Sequence, residues 1–272
     1  MTIHSTAQID PGAELGAGVT VGPFAVIERD VVIGAGTVIG PHACVLRYTT
    51  IGSNCRIHAG AVIGDLPQDT GFKGGVSYVR IGNGTLIREH VTIHRGTEAG
   101  TSTEIGDECM IMATAHLAHN VRLANRVLVV SGALLAGYVQ VDDRAFISGN
   151  VVVHQFTRIG RLAMLGGACG VSRDVPPFCT VKPLMSNELL GLNIVGLRRG
   201  GVGPDDRLAL KKAFHLWFRS GMSIRQATTE VRRQLGTCSA VVEMADFIDA
   251  TRRGICVAGH GTSAAGTAEA DE

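Results

Sequence analysis

Residues 15–45 read LGAGVTVGPFAVIERDVVIGAGTVIGPHACV, and an aliphatic residue returns there at every sixth position: Leu15, Val21, Ile27, Ile33, Ile39 and Val45. The series runs on in both directions. Between Ile3 and Val171 there are 29 positions six residues apart, and 26 of them are aliphatic, which chance does not produce. Four residues after the aliphatic comes a second, smaller residue (Ala25, Val31, Thr37, Ala43, Cys55, Ala61, later Ala115 and Ala133), and glycine often follows the aliphatic directly, as at Gly22, Gly34, Gly40 and Gly52. A period of six is too long for one face of an α-helix and too punctuated for an ordinary strand. It is the hexapeptide pattern of an all-β parallel β-helix. Three hexads close one triangular coil, so residues eighteen apart stack, with coils about 4.8 Å apart.

The three breaks in the series, Asp69, Gly75 and Ala99, mark two excursions, near residues 65–79 and 95–104. Both are Gly-rich and polar, and both return to the repeat; loops pushed out of a strict solenoid tend to bind something. After Val171 the pattern stops, and Pro176-Pro177 marks an exit from the ladder. From about Pro204 the period turns helical, with Leu208, Ala209, Phe214, Trp217 and Phe218 as the expected apolar face and Gly221 as its stop. Ser223-Ile224-Arg225-Gln226 reads as a capping box opening a second helix, and a third is expected from Ser239 to Ala250. The expected organisation is a β-helix domain over 1–190, a small α-helical C-terminal domain over 191–256, and a disordered tail over 257–272.

The chain has 272 residues and a formal net charge of +1, with 45% hydrophobic but only 4% aromatic residues, a composition suited to a narrow interior of stacked aliphatics. No run of eighteen apolar residues offers a membrane span, and Met1-Thr2-Ile3 leads straight into the repeat, leaving no room for a signal peptide. The seven cysteines show no CxxC spacing, so neither a disulfide framework nor a zinc finger is indicated. Cys55, Cys109 and Cys169 fall at the small-residue phase and read as core fillers. A reducing cytoplasm fits this cysteine usage, and the family resemblance set out below implies a bacterial one.

The bland repeat is interrupted at Ile111–Asn120, IMATAHLAHN, by His116 and His119. Eighteen residues after His119 comes Gly137, and eighteen further comes Gln155, so the three form one column. A histidine beside an unobstructed glycine N–H pairs a general base with an oxyanion donor, as acyl transfer requires. The column alone equally allows a solvated corner histidine.

The segments IGDLPQD (63–69), IREHVTIHRGT (87–97), MATAHLAHN (112–120), LAGYVQVDD (135–143), VVVHQF (151–156), GGACGVSRDVPP (166–177) and NIVGLRRGG (193–201) resemble, in order and over residues 1 to about 253, the motifs of the UDP-N-acetylglucosamine O-acyltransferases that begin lipid A synthesis. The resemblance implies a left-handed β-helix, a homotrimer, and transfer of an (R)-3-hydroxyacyl group from acyl carrier protein to the sugar 3-hydroxyl, without metal or cofactor. It assigns His119 as the base and the Gly137 N–H as oxyanion donor. It also assigns His116, His154, Gln155 and Asp69 to the substrate cleft, Asn193 and Arg199 to nucleotide phosphates, and Gly167 to the acyl-chain ruler, where glycine leaves the groove open.

The sequence departs from the family pattern in places. Gly71 stands where a lysine is usual, with Lys73 as its expected substitute; Tyr138 replaces a common histidine, Val195 a glutamate, Gly200 a second arginine, and Asn120 an aspartate. Acyl transfer is therefore better anchored than the acceptor, and a 3-amino UDP-sugar is the alternative. A zinc lyase resembling the γ-class carbonic anhydrases, using His116, His119 and His154, is a further alternative, although those residues fall at different phases of the repeat. A solenoid without catalytic function is another. Nine Lys or Arg between Arg198 and Arg233, against Asp205, Asp206 and Glu230, suit an acidic carrier protein. The small overall charge argues against nucleic acid, and no stable membrane insertion is expected.

Overall fold

The computed structural model describes residues 1–259. Each hexad contributes a strand of two to four residues, and the strands stack into three sheets of twelve, nine and eight strands that form the faces of a prism. Stacking is parallel and in register: Thr2 faces Thr20, His116 faces Leu134, and Leu134 faces Val152. The aliphatic series fills the interior, with Ile27, Ile39, Ile63, Ile93, Leu117 and Leu135 all at most 1% exposed. Burying such a side chain contributes about 1.5–3 kcal/mol, and here it is repeated at every step of the stack. Ala25, Ala43, Ala61 and Ala115 are fully buried where the chain turns a corner and leaves no room for more. Cys55, Cys109 and Cys169 sit among them as free thiols, and burial pushes the Cys109 and Cys169 thiols up to about 11.

The corners repeat too. Within each, one residue takes the left-handed conformation: Asn120, Tyr138 and Phe156 (φ 60°, 60° and 65°) lie on the corner that carries His119. The two excursions leave and rejoin that same corner. Across them the register spacing widens from eighteen to thirty residues (Arg56 to Leu86) and twenty-four (Leu86 to Met110), so they insert twelve and six residues without disturbing the stack. The strands at their roots, Val62–Asp65 and Tyr78–Ile81, Thr92–His94 and Ser102–Ile105, narrow the loops to residues 66–77 and 95–101.

The faces differ in chemistry. Outward residues of the eight-stranded sheet include Glu14, Arg80, Glu104, Arg122, Gln140 and Arg158. Those of the nine-stranded sheet include Val26, Val62, Leu134 and Val152, and those of the twelve-stranded sheet Leu86, Met110, Leu128, Phe146 and Met164. Two faces carry apolar stretches outside, interrupted by residues such as Gln8, Thr92 and Arg56, and the third is largely charged. The first coil is open at its end, where Ile3 is 45% exposed, whereas Val21 one coil further is 2% exposed.

Stacking outlasts the sequence pattern. Beyond Val171, Val175 bridges to Ile159 and the strand Cys179–Val181 pairs with Met164–Leu165, so one irregular coil follows the last regular hexad around Pro176-Pro177. Strand Glu188–Leu192 then returns antiparallel to Cys179–Val181, and α1 (Ile194–Arg199), α2 (Pro204–Arg219), α3 (Ile224–Leu235) and α4 (Ser239–Asp249) follow. The capping box at Ser223 and Gln226 is formed at both ends. On α2 the buried residues are Leu210, Ala213, Phe214 and Trp217, while Leu208 is 53% exposed; at 100° per residue, Leu208 faces away from the stripe that Leu210 begins. Trp217 donates from Nε1 to Thr228 Oγ1 at 2.9 Å, tying α2 to α3. Arg161 forks onto Glu243 of α4 at 2.7 and 2.9 Å, and Arg158 reaches both Asp174 and the Phe247 carbonyl, fastening the helices to the prism. The disordered tail expected from 257 does not begin there. Val257–Ala258 form a strand beside Glu188–Leu189, supplying backbone partners that the sequence pattern does not reveal, and residues 260–272 lie outside the described residues.

Candidate active site

His119 sits on the corner between the nine- and eight-stranded sheets and is 8% exposed. Its ring packs edge-on to Tyr138, 5.3 Å between centroids. Nδ1 lies 3.1 Å from Asn120 Oδ1, which also accepts the Thr97 N–H at 3.0 Å. A backbone donor identifies that Asn120 atom as oxygen, so the proton is on Nδ1 of His119 and the Nε2 lone pair is uncommitted. Nε2 stands 3.6 Å from Asp69 Oδ2, too far for a direct hydrogen bond but close enough for the carboxylate to stabilise an imidazolium. Asp69 is held below the usual carboxylate range by the Gly71 N–H, by the Thr97 hydroxyl, and by nearby His119. Both loops therefore close on His119, the first through Asp69 and the second through Thr97. The sequence reading missed Thr97 and saw Asn120 only as a departure; the hydrogen-bonding pair closing across two loops has no periodic signal.

Gly137 lies directly beneath the imidazole. A Cβ added there would stand 2.4 Å from His119 Cε1 and 2.5 Å from Nε2. The backbone N–H at this corner phase is not used by the coil-to-coil ladder. On the neighbouring corner it is taken up by side chains: Asn83 accepts from Ser53, Asp107 from Asn83, Asn125 from Asp107, and Asp143 from Asn125. At Gly137 no such acceptor occurs among the described residues, leaving a donor beside the base. His116, one strand earlier, has its Nδ1 2.7 Å from Thr92 Oγ1 and its ring edge-on to His94 at 4.8 Å. Burial, reinforced by His94 and His119, lowers its pKa to about 4, so it is neutral near pH 7.

The remaining expected site residues are dispersed in the single chain. Lys73 is exposed on the first loop and acts on Asp69 only through space. His154 and Gln155 are exposed two coils further along the same corner, and Arg253 approaches His154 Nδ1 at 3.2 Å. Asn193 and Arg199 line a cavity of about 640 Å³ with Phe146, Leu162 and Met164, on the twelve-stranded sheet rather than beside His119. The Asn193 side chain caps α1, accepting from Gly196 N and donating to the Leu162 carbonyl. Gly167 stands on a third corner, where an added Cβ would meet only the Gly149 carbonyl at 3.9 Å, so space there is open. Among the described residues no group of three or more His, Cys, Asp or Glu is arranged to hold a metal ion, and His116, His119 and His154 do not converge. The basic segment is weaker than its count implies, because Arg232 pairs with Asp246 and Asp249, and Arg233 with Glu230.

The family profile described as UDP N-acetylglucosamine O-acyltransferase, domain 2, matches residues 174–256, and that of the bacterial transferase hexapeptide matches residues 30–65. An acyl-[acyl-carrier-protein]–UDP-N-acetylglucosamine O-acyltransferase of Alkalilimnicola ehrlichii is 49% identical over 93% of this chain and 98% of its own length. The chain belongs to the UDP-N-acetylglucosamine O-acyltransferase family. A relative of the same description from Synechocystis is 50% identical over 178 residues, 64% of its length. The solved UDP-N-acetylglucosamine acyltransferase of Francisella novicida superposes with a TM-score of 0.90 at 35% identity, covering 95% of both chains. The prism is thus the left-handed parallel β-helix of this acyltransferase family, followed by its helical C-terminal unit.

Proposed function

We infer that this chain transfers an (R)-3-hydroxyacyl group from acyl carrier protein to the 3-hydroxyl of UDP-N-acetylglucosamine, the first step of lipid A synthesis. The observation that carries the mechanism is the stacking of His119, with Nε2 free, over Gly137, whose N–H has no partner among the described residues. Nε2 takes the proton of the sugar hydroxyl as its oxygen attacks the thioester carbonyl. The carbonyl oxygen gains charge and is met by the Gly137 N–H. Collapse of the tetrahedral intermediate breaks the C–S bond, and the imidazolium returns its proton to the departing thiolate. Asp69 stabilises the imidazolium between the two transfers and offers an acceptor to a second sugar hydroxyl. His116, neutral at working pH, contributes a hydrogen bond without competing for the proton.

The dispersed residues fit a homotrimer. Two faces with apolar stretches and one largely charged face suit a ring in which the nine-stranded face of one prism meets the twelve-stranded face of the next. The His119 corner of one chain then borders the neighbour's cavity with Asn193 and Arg199, where the nucleotide phosphates would lie. The exposed Leu134 and Val152 run across the nine-stranded face toward the corner that carries Gly167, an apolar path for the acyl chain. His154, Gln155 and Lys73 complete the cleft at its open rim, and the basic helices receive the acidic carrier protein.

The test is acyl transfer from 3-hydroxyacyl carrier proteins to UDP-N-acetylglucosamine, wild type beside His119→Ala. Loss of a general base should lower kcat by about 10²- to 10⁴-fold. Undiminished transfer by the variant would remove His119 from the chemistry, and transfer only to a 3-amino UDP-sugar would change the acceptor.

A further inference from the structure

The loop that carries Asp69 leaves and rejoins the prism beside a cavity of about 380 Å³, lined in part by Leu66, Gly74, Val76, Arg47 and Tyr48. Glu28, Asp65 and Arg95 line it as well. Arg95 opens the second loop, and its N–H donates to the carbonyl of Asp65, where the first loop leaves the prism. Its guanidinium carbon lies 5.4 Å from the centre of the Tyr48 ring and 5.7 Å from that of Phe72, both within cation–π range. Unlike Arg47, Arg88 and Arg126, it has no carboxylate within ion-pairing distance among the described residues. Its Nε is buried without a hydrogen-bond partner. The ring faces are what this cation has.

The two rings belong to different bodies. Tyr48 is part of the prism: it sits in a left-handed corner conformation, its hydroxyl accepts from Arg47 at 2.8 Å, and its ring meets the edge of Tyr78. Phe72 belongs to the loop, in a turn whose N–H donates to the Asp69 carbonyl at 3.0 Å, so a displacement of Phe72 carries Asp69 with it. Two residues beyond Arg95, Thr97 holds both Asp69 Oδ2 and Asn120 Oδ1.

We propose that Arg95 is a positioning residue that holds the Asp69 loop over His119 by bridging the Tyr48 ring on the prism and the Phe72 ring on the loop. The proposal rests on the acceptor-binding role given above to Asp69. It makes closure of the acceptor side of the cleft depend on a contact remote from the reacting atoms, and it explains what the phenylalanine of this chain's altered Thr70-Gly71-Phe72-Lys73 turn is for.

The test joins kinetics to a readout independent of turnover. Lys73 is exposed in the loop, so trypsin cleavage after it, followed by mass spectrometry on the folded protein, reports loop release. Arg95→Met and Phe72→Ala should each speed that cleavage by roughly tenfold and raise KM for UDP-N-acetylglucosamine by a similar factor, with any fall in kcat, from Asp69 leaving the imidazolium, accompanied by that faster cleavage. Arg95→Lys and Phe72→Tyr, which keep the cation and the ring, should restore both. Phe72→Ala alters only the loop, so it carries the test if Arg95→Met fails to fold. Wild-type cleavage in the variants would overturn the proposal. So would a collapse of kcat with the loop still protected, because Arg95 would then act on the substrate. If the wild type transfers nothing to UDP-N-acetylglucosamine, the functional reading fails, and the cleavage rates still decide the clamp.

Discussion

Gly137→Ala is the substitution for which the structure gives the sharpest expectation. Gly137 is not in the left-handed region, so alanine is compatible with its backbone and the coil should form normally. The new Cβ would lie 2.4 Å from His119 Cε1, whereas carbon atoms meet without repulsion at about 3.5 Å, so the ring must retreat by about 1 Å. It has nowhere comfortable to go: Asn120 holds Nδ1, Tyr138 stands against the ring, and the residue is nearly buried. A misplacement of about 1 Å in a reacting group is worth roughly 10²-fold, or about 2.7 kcal/mol of barrier. The expected variant melts within a few degrees of wild type, keeps its KM for both substrates, and loses about two orders of magnitude in kcat. Steady-state acyl transfer with a thermal melt on the same sample checks this. A kcat equal to wild type would refute the stacking of base on glycine as the basis of turnover.

Acid should weaken the fold through His116. Its folded-state pKa, about 4, lies below the value of about 6.5 in an unfolded chain. Between those values the unfolded state binds the extra proton, so stability is fully present above pH 6.5 and is lost as pH falls toward 4. Urea midpoints across that window should decline, and His116→Gln should decline less; identical slopes would reject the buried neutral imidazole. Gly64→Ala puts a side chain where φ is +91° and where Thr49 Oγ1 already stands, so Tm should fall by roughly 4–8 °C. Gly167→Met should fill the open corner and shift preference toward shorter acyl chains, measured by competing carrier proteins of different chain length.

The prism was legible because its rule is local and repeated. An aliphatic at every sixth residue fixes both what is inside and which residue lies beneath which, and that spacing alone pairs His119 with Gly137. The loops were legible as interruptions but not as structures. That Thr97 reaches Asp69 and Asn120 depends on two chain reversals folding against each other, and no period encodes that. The helical unit shows the same limit. Its capping box was readable at Ser223 because capping is local, whereas α1 was missed because six residues around Gly196 carry no periodicity. Asn193, assigned by resemblance to phosphate binding, proves to have a structural task in capping α1. The exposure of Leu208 follows from helical phase, whereas the pairing of Val257–Ala258 was set by tertiary neighbours beyond the reach of composition.

The open first coil makes the prism a zipper with a single free end. Each coil is supported only by the coils beside it, so loss of structure travels one step at a time. One end is sealed by Val175, Phe178 and the helices fastened through Arg158 and Arg161, while the other begins with a half-exposed Ile3. Fraying should therefore run from the N-terminal end inward, and amide exchange should slow from coil to coil along the sequence. The strand that bears His116 is the sixth of nine in its sheet, so five others must open before a fray from that side disturbs it. The chemistry therefore sits five coils in from the end that opens first, and that end is left to residues outside the site.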